Sequence, residues 1–336
     1  MVMRRVRSFD PADRGRVGAL AEADPHAPLR YLSLFGSPVA GAARRLEVEG
    51  HVDAERTLIA EEDRTIVGAL GVRDVPYLTE HFGVPFRTIG PLVIDPARHG
   101  ADRGAIVEEL LDAVVADDDG GVARVDVLRI EGDDVAGHHA ALAAGFLPME
   151  TSLTWVNDLE RAHLNPPRTE WPSIRLHRPG IDPPLSEDQL AGVRGGGALV
   201  KDDHYHNDDR LDPERADALY ERWLERGLAG EVSDVAVLHH VEGQLVGLGL
   251  WRRWRELEPL GVSALGNGFG FRSAWAPAGT THGFSSIVCN RPLLDNRLLE
   301  WTTQSTNYAM ANMIAREPSI RLCRSSHVFH RWSRAR

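Results

Sequence analysis

The sequence predicts an α/β chain built as two tandem domains, each a mixed central sheet flanked by helices. Three observations predict it. One order of signals, strand–helix–strands–helix–strand–helix–strand, runs twice along the 336 residues. A polar, proline-rich stretch, "LERAHLNPPRTEWPS" (Leu159 to Ser173), falls near the middle, where a linker belongs. The chain is long enough for two ordinary domains, and 43 % hydrophobic residues can furnish two cores.

In the first half "RRVRSFD" reads as a strand and "PADRGRVGALAEA" as a helix with apolar spacing. "RTLIAEED" and "RTIVGALGVRD" are short strands around a charged turn, and "FRTIGPLVID" is a strand ending at Pro96. "GAIVEELLDAVVAD" is an amphipathic helix, "ARVDVLRI" a buried strand, "DVAGHHAALAAGF" a helix with a Gly-Phe stop and "METSLTWVNDL" a closing strand. In the second half "SIRLHRP" is a strand, and "DPERADALYERWLERGLAG" is a helix with an acidic start and a glycine stop. "DVAVLHHVEGQLVGLGLW" is a hairpin turning at Glu242-Gly243. "GNGFGFRSAWAP" is a strand ending at Pro277, followed by a loop of small residues and a helix. "RLLEWTTQ" is a strand, "NYAMANMIARE" a helix and "IRLCRSSHVFHRW" the closing strand. The predicted division is a domain over 1–160, a linker over 161–173 and a domain over 174–336. A repeat of half the chain is too long for a solenoid, and duplication accounts for it.

A net charge of −11 argues against nucleic acid, which needs a basic face. Small anionic ligands stay open, because backbone N–H groups at a helix start hold phosphate without net positive charge. Cys289 and Cys323 form no disulfide framework, so a reducing cytoplasm is the expected compartment. "MVMRRVRSFD" lacks the apolar core of a signal peptide, and no apolar run reaches the length of a membrane span.

Two stretches carry candidate chemistry. The loop "APAGTTHGFSSIVCN" (Ala276 to Asn290) joins a strand to a helix start. It is either a phosphate-holding loop or an ordinary connection. The run "KDDHYHNDDR" (Lys201 to Arg210) places His204 and His206 among carboxylates. It reads as a substrate-facing loop, a metal site or a solvated surface loop. His204, Tyr205 and His206 are the titratable candidates for receiving a proton from an amine, because imidazole titrates near neutrality. In "LWRRWREL" (Leu250 to Leu257), Arg252, Arg253 and Arg255 beside Trp251 and Trp254 form either a clasp for a sugar nucleotide or an exposed strand end. Tyr220, Trp223 and Leu224 form a packed helix face, and His138-His139 a structural pair.

The order of elements and the place of the 276–290 loop resemble, in tandem, the GNAT superfamily of acyl-CoA-dependent N-acyltransferases. Its pattern P-x-x-(Q/R)-x-x-G-x-(G/A) sets Pro277, Thr280, Gly283 and Ser285 on the second half, and Pro96, His99, Asp102 and Gly104 on the first. Small residues there let backbone N–H groups approach the CoA pyrophosphate. A carboxylate at Asp102 would oppose it, so the first half resembles a domain that no longer binds CoA. The resemblance implies an acyl-CoA co-substrate, acetyl-CoA or another, with no metal. Trp275, Ala276, Thr280, Thr281, His282, Gly283, Phe284, Ser285, Ser286 and Asn307 would hold it.

The stretch from Lys201 to Trp332 also resembles the TDP-fucosamine acetyltransferase type, through "DDHYHNDDRLDPERADALYERWL", "TTQSTNYAM" and "FHRW". This implies an amine acceptor on a small molecule, an amino sugar above all, with His204 and His206 catalytic and Asp203, Tyr205, Arg252 and Arg253 binding the acceptor. Thr303, Gln304 and Asn307 match that family's closing pattern, but Ile314 stands where its general-acid tyrosine belongs, and Pro318-Ser319 replaces Gly-Phe. The alternatives are an inactive tandem binding module and transfer to a non-sugar amine. Neither nucleic acid nor membrane is expected as a partner.

Overall fold

The computed structural model describes residues 4–36, 39–52, 56–116, 123–159, 174–191, 193–194, 200–272, 296–316 and 319–333. Its strands are β1 (Arg4–Ser8), β2 (Arg56–Glu62), β3 (Thr65–Asp74), β4 (Phe86–Ile94), β5 (Val125–Glu131), β6 (Leu147–Asp158), β7 (Ile174–His177), β8 (Val235–Val241), β9 (Gln244–Arg253), β10 (Ala264–Arg272), β11 (Leu298–Gln304) and β12 (Ile320–Trp332). Its α-helices are α1 (Arg14–Ala23), α2 (Ala40–Val52), α3 (Pro76–Phe82), α4 (Gly100–Ala116), α5 (Val135–Ala143), α6 (Glu187–Leu190), α7 (Pro213–Leu228) and α8 (Tyr308–Ile314). The predicted α/β class with mixed sheets is what forms. The predicted linker lies outside the described residues.

Contacts divide the chain into two compact units: Met1–Thr151 with Arg324–Arg336, and Ser152–Cys323. The sheet of the first unit runs β1-β2-β3-β4-β5-β12. Among its described residues only β4 and β5 pair parallel, from Phe86↔Val125 to Ile89↔Leu128. α4 and α5 cover one face, where Ile106, Leu110, Leu111 and Ala141 pack on Leu70, Ile89, Leu128 and Phe329. α1 and α2 cover the other through Val17, Ala21, Val48 and Val52.

The sheet of the second unit runs β6-β11-β10-β9-β8-β7. On one face Tyr220 and Leu224 of α7 pack on Ala236, Leu238, Leu248 and Leu250. On the other Ile314 and Met310 of α8 pack on Val237, Trp251, Leu265 and Trp301. Alternation along β8 and β9 sends neighbouring residues to these two cores. The hairpin turns at Glu242-Gly243 as predicted, with φ of 51° and 83°, the pair of positive values a two-residue turn of this hand requires. Asp212 caps α7 by accepting from the Glu214 and Arg215 N–H groups, and Pro213 starts it.

The closing strands depart from the sequence reading. "IRLCRSSHVFHRW" does not close its own half. From Ser326 to Trp332 it pairs with β5, and Phe329 enters the first core. Residues 152–158 of β6 pair instead with β11 in the second unit. Neither strand's residue pattern names its neighbour, so pairing rather than chain order decides.

Candidate functional site

In the second unit β10 and β11 are parallel neighbours for three pairs only, Ala264↔Leu298, Leu265↔Leu299 and Gly266↔Glu300. Among the described residues, β10 beyond Gly266 pairs only with β9, through an irregularity between Asn267 and Phe269. β11 beyond Glu300 pairs, among the described residues, only with β6. The two strands thus part inside the sheet. Every second residue on each edge turns its N–H and C=O toward the gap. Such edges can take an extended, amide-bearing ligand as they would a strand. Trp251 of β9 and Trp301 of β11 meet edge to face over this region, ring centroids 5.3 Å apart. A Cβ at Gly266 would lie 2.7 Å from Trp254 Nε1, so the last paired position of β10 takes only glycine without a shift of that indole.

The 200–211 segment precedes α7 and is organised by Asp203. This carboxylate is 2 % exposed and accepts from the N–H of Tyr205 at 2.7 Å and of His206 at 3.1 Å. Its Oδ2 lies 2.6 Å from His206 Nδ1, and the Tyr220 hydroxyl donates to it at 2.7 Å. His206 Nε2 lies 3.0 Å from Asp217 Oδ1, which Lys201 also reaches. Burial pulls the Asp217 carboxyl up, but Lys201 and His206 outweigh it and hold it below its ordinary value. Carboxylates only accept, so both bonds of His206 form together only when both ring nitrogens carry hydrogen.

His204 is half-buried, its ring 3.9 Å from that of Tyr205, which in turn meets Trp223 at 5.9 Å. The structure therefore brings Asp203, His204, Tyr205 and His206 together with Asp217, Tyr220 and Trp223 of α7. Asp203 and Tyr205 are spent largely on the loop itself. Sequence reasoning missed Asp217 and the Tyr220 hydroxyl. The spacing of Asp217 and Tyr220, three apart on one helix, was the available signal.

Arg252 and Arg253 do not form one clasp. As neighbours on β9 they face opposite sides of the sheet. Arg252 is exposed beside Glu256, and Arg253 holds Asn296 Oδ1 at 3.4 Å and, through its N–H, Asp234 at 2.8 Å. Trp251 is 2 % exposed in the core, so it offers no stacking face to solvent. Asn307 starts α8, its Oδ1 accepting from the Met310 N–H at 3.1 Å. Trp275, Ala276, Thr280, Thr281, His282, Gly283, Phe284, Ser285 and Ser286 lie outside the described residues. Among the described residues no group of three or more His, Cys, Asp or Glu side chains could hold a metal ion.

The matching split in the first unit has other contents. β4 and β5 part after Ile89↔Leu128, and β4 continues through a cis Gly90-Pro91 bond. Pro91 offers no N–H. The Leu92 carbonyl already accepts from Arg44 Nη2 at 3.0 Å. Asp102, in the first turn of α4, holds Arg98 at 3.0 Å and Arg4 at 2.9 Å, and Glu62 binds the same two arginines. Arg4 and Arg98, beside the first turn of α4, are thus taken up by the unit's own carboxylates. These residues do not fit CoA.

The comparisons with known proteins bear on the fold. No protein-family model matches the chain, and no curated protein matches it. Solved structures do. A GCN5-related N-acetyltransferase from Sphaerobacter thermophilus matches over 98 % of this chain and 95 % of its own, at 15 % identity and a TM-score of 0.56. A tandem GNAT protein from the clavulanic acid biosynthesis pathway matches over 98 % of both chains, at 13 % identity and a TM-score of 0.52. A putative acetyltransferase from Pyrococcus horikoshii matches over 99 % of this chain and 90 % of its own, at 13 % identity and a TM-score of 0.50. The chain has the tandem GNAT fold along nearly its whole length. Among the described residues no helix is long and apolar enough to cross a membrane.

Proposed function

We propose that the chain is a cytoplasmic acyl-CoA-dependent N-acyltransferase, with the donor, acetyl-CoA in the simplest case, bound by the second unit only. The observation that carries this reading is the parting of β10 and β11 after Gly266↔Glu300, set against the first unit, where Pro91 offers no N–H and the Leu92 carbonyl is taken by Arg44. The amine attacks the thioester carbonyl, a C–N bond forms, the C–S bond breaks and CoA leaves as thiolate. Backbone N–H groups of β10 on the edge where it parts from β11 suit the developing oxyanion. His204 is the side chain assigned to accept the ammonium proton, with His206 positioning it through the Asp203 network. The acceptor is proposed to be an amino sugar, free, nucleotide-linked or on a natural product, on the resemblance of residues 202–224 to sugar N-acetyltransferases.

Titration calorimetry with CoA and acyl-CoAs tests the donor. One site per chain is expected, and Gly283→Asp should weaken it by roughly two decades through lost backbone approach and added repulsion. Unchanged affinity in a folded Gly283→Asp protein would remove this loop from the site. A second reading, an inactive binding module, is favoured by Ile314, which is 1 % exposed and offers no proton. Binding of acyl-CoA without transfer to any amine would select it.

A further inference from the structure

The first unit contains a buried polar cluster, drawn from α1, α2 and α4, that the proposed reaction does not use. Arg103 of α4 lies on one face of the sheet and Asp24, at the end of α1, on the other. Its Nη1 comes within 3.9 Å of Asp24 Oδ1, too far for a hydrogen bond. The rest of the Arg103 guanidinium is held by Asp134, at 2.9 Å and 2.6 Å. Arg44 of α2 holds Glu47 at 2.8 Å and the Leu92 carbonyl at 3.0 Å. Arg103 Nη1 and Arg44 Nε are buried with no hydrogen-bond partner, on residues 4 % and 3 % exposed. An unpaired buried donor costs about 1–3 kcal/mol, more on a charged group. Two such donors, on cations that both act on the Asp24 carboxyl, are costly without a ligand to take them.

We propose that Arg44, Arg103 and Asp24 form a binding site in the first unit for a small carboxylate. Its oxygens accept from Arg44 Nε and Arg103 Nη1, in the planar geometry guanidinium favours. Asp24 lies 3.9 Å from Arg103 and within the field of Arg44, and would repel an incoming anion while ionised. Burial pushes its carboxyl above the usual range, against the pull of Arg103, the His26 N–H and Arg44. Binding is therefore coupled to uptake of one proton on Asp24. The other charged groups around it are paired: His26 with Asp133 at 3.0 Å, Arg103 with Asp134 and Arg44 with Glu47. The segment from Asp24 to Phe35 precedes α2 as the 200–211 segment precedes α7. The first unit thus keeps a ligand site at the place where its tandem copy is proposed to bind the acceptor.

The test follows the arginine side-chain Nε–H resonances of the full chain by NMR while formate, acetate, lactate, succinate and glycine are added separately. The expected result is a saturable shift of Arg44 Nε–H for at least one of them. Its affinity should tighten about tenfold per unit of falling pH until Asp24 is protonated in the free protein. Asp24→Asn removes the repulsion at the same shape. It should bind the same carboxylate at least tenfold more tightly at pH 8, without that pH dependence. Removal of Arg103 would leave the buried Asp134 without its cation and could prevent folding, so Asp24→Asn is the deciding variant. Equal response to chloride and sulfate would overturn the carboxylate assignment. No shift in either protein, with Arg44 Nε–H exchanging directly with water, would show that a buried water satisfies these donors.

Discussion

Asp203 Oδ2 receives the Tyr220 hydroxyl at 2.7 Å and faces His206 Nδ1 at 2.6 Å, so one buried carboxylate ties the 200–211 loop to α7. Its other oxygen takes two backbone N–H groups. Loss of Asp203 leaves four donors without their acceptor, whereas loss of the Tyr220 hydroxyl leaves Asp203 with three. Asp203→Ala should therefore destabilise the second unit by about 3–5 kcal/mol, and Tyr220→Phe by about 1 kcal/mol. Urea unfolding followed by tryptophan fluorescence separates the two. Equal effects would mean that Asp203 does not organise the loop.

The closing strand β12 makes a second prediction. Val328 and Phe329 are 0 % and 3 % exposed, and Phe329 belongs to the core formed by α4 and α5. Phe329→Ala should cost about 3–5 kcal/mol. The loss should fall on the first unit, although residue 329 lies at the far end of the chain. Hydrogen exchange reads this directly: amides of β5 should lose protection, while those of β8 and β9 keep theirs. The reverse pattern would place β12 in the second unit.

These two cases mark what the sequence makes legible. The β8–β9 hairpin and α7 can be read locally, because Glu242-Gly243 and Asp212-Pro213 are chemical signals for a turn and a helix start. The helix Ala40–Val52 is not legible in the same way. Gly41 and Gly50 weaken its propensity, and its buried Arg44 breaks the apolar stripe. The partner of β12 is not local at all, since strand patterning fixes a face and leaves the neighbour open. The candidate site follows the same division. Residues 201–210 stand out by composition, yet the contact of Asp203 with Tyr220 depends on where α7 packs.

A third prediction concerns pH. His138 of α5 and His327 of β12 meet with ring centroids 4.6 Å apart, and His327 Nδ1 lies 3.0 Å from Thr151 Oγ1. Burial pushes both rings below the ordinary value. For His138 the charge of His327 adds to this, while Asp134 opposes it. The unfolded chain thus binds protons that the folded pair refuses. Stability contributed by the neutral pair is complete above about pH 6.5 and is lost as pH falls below it. Urea midpoints from pH 7.5 to 5.5 should fall more steeply for the native chain than for a His138→Gln, His327→Gln variant. Parallel slopes would remove the pair from the pH response.

The last prediction concerns the proton that leaving CoA needs. Ile314 is 1 % exposed in the core beneath α8, packed with Trp251, Leu265 and Trp301. It can give no proton, and Ile314→Tyr would set a larger, polar side chain into a filled space, at a cost of about 1–3 kcal/mol from overpacking. Tyr308 is the nearest phenol along the chain, at the start of the same helix, and it is 71 % exposed. It lies six residues before Ile314, almost two turns away. A thiol titrates near about 8.5 when unperturbed, so its thiolate leaves tolerably at neutral pH without an acid. General-acid help is worth about 10²–10⁴-fold where it operates. Water is therefore expected to protonate the thiolate, and Tyr308→Phe should keep kcat within about threefold on any acceptor that turns over, far short of the loss that removal of a general acid brings. A fall of about a hundredfold or more, with acyl-CoA affinity unchanged, would make Tyr308 the acid and place the donor's sulfur near the start of α8.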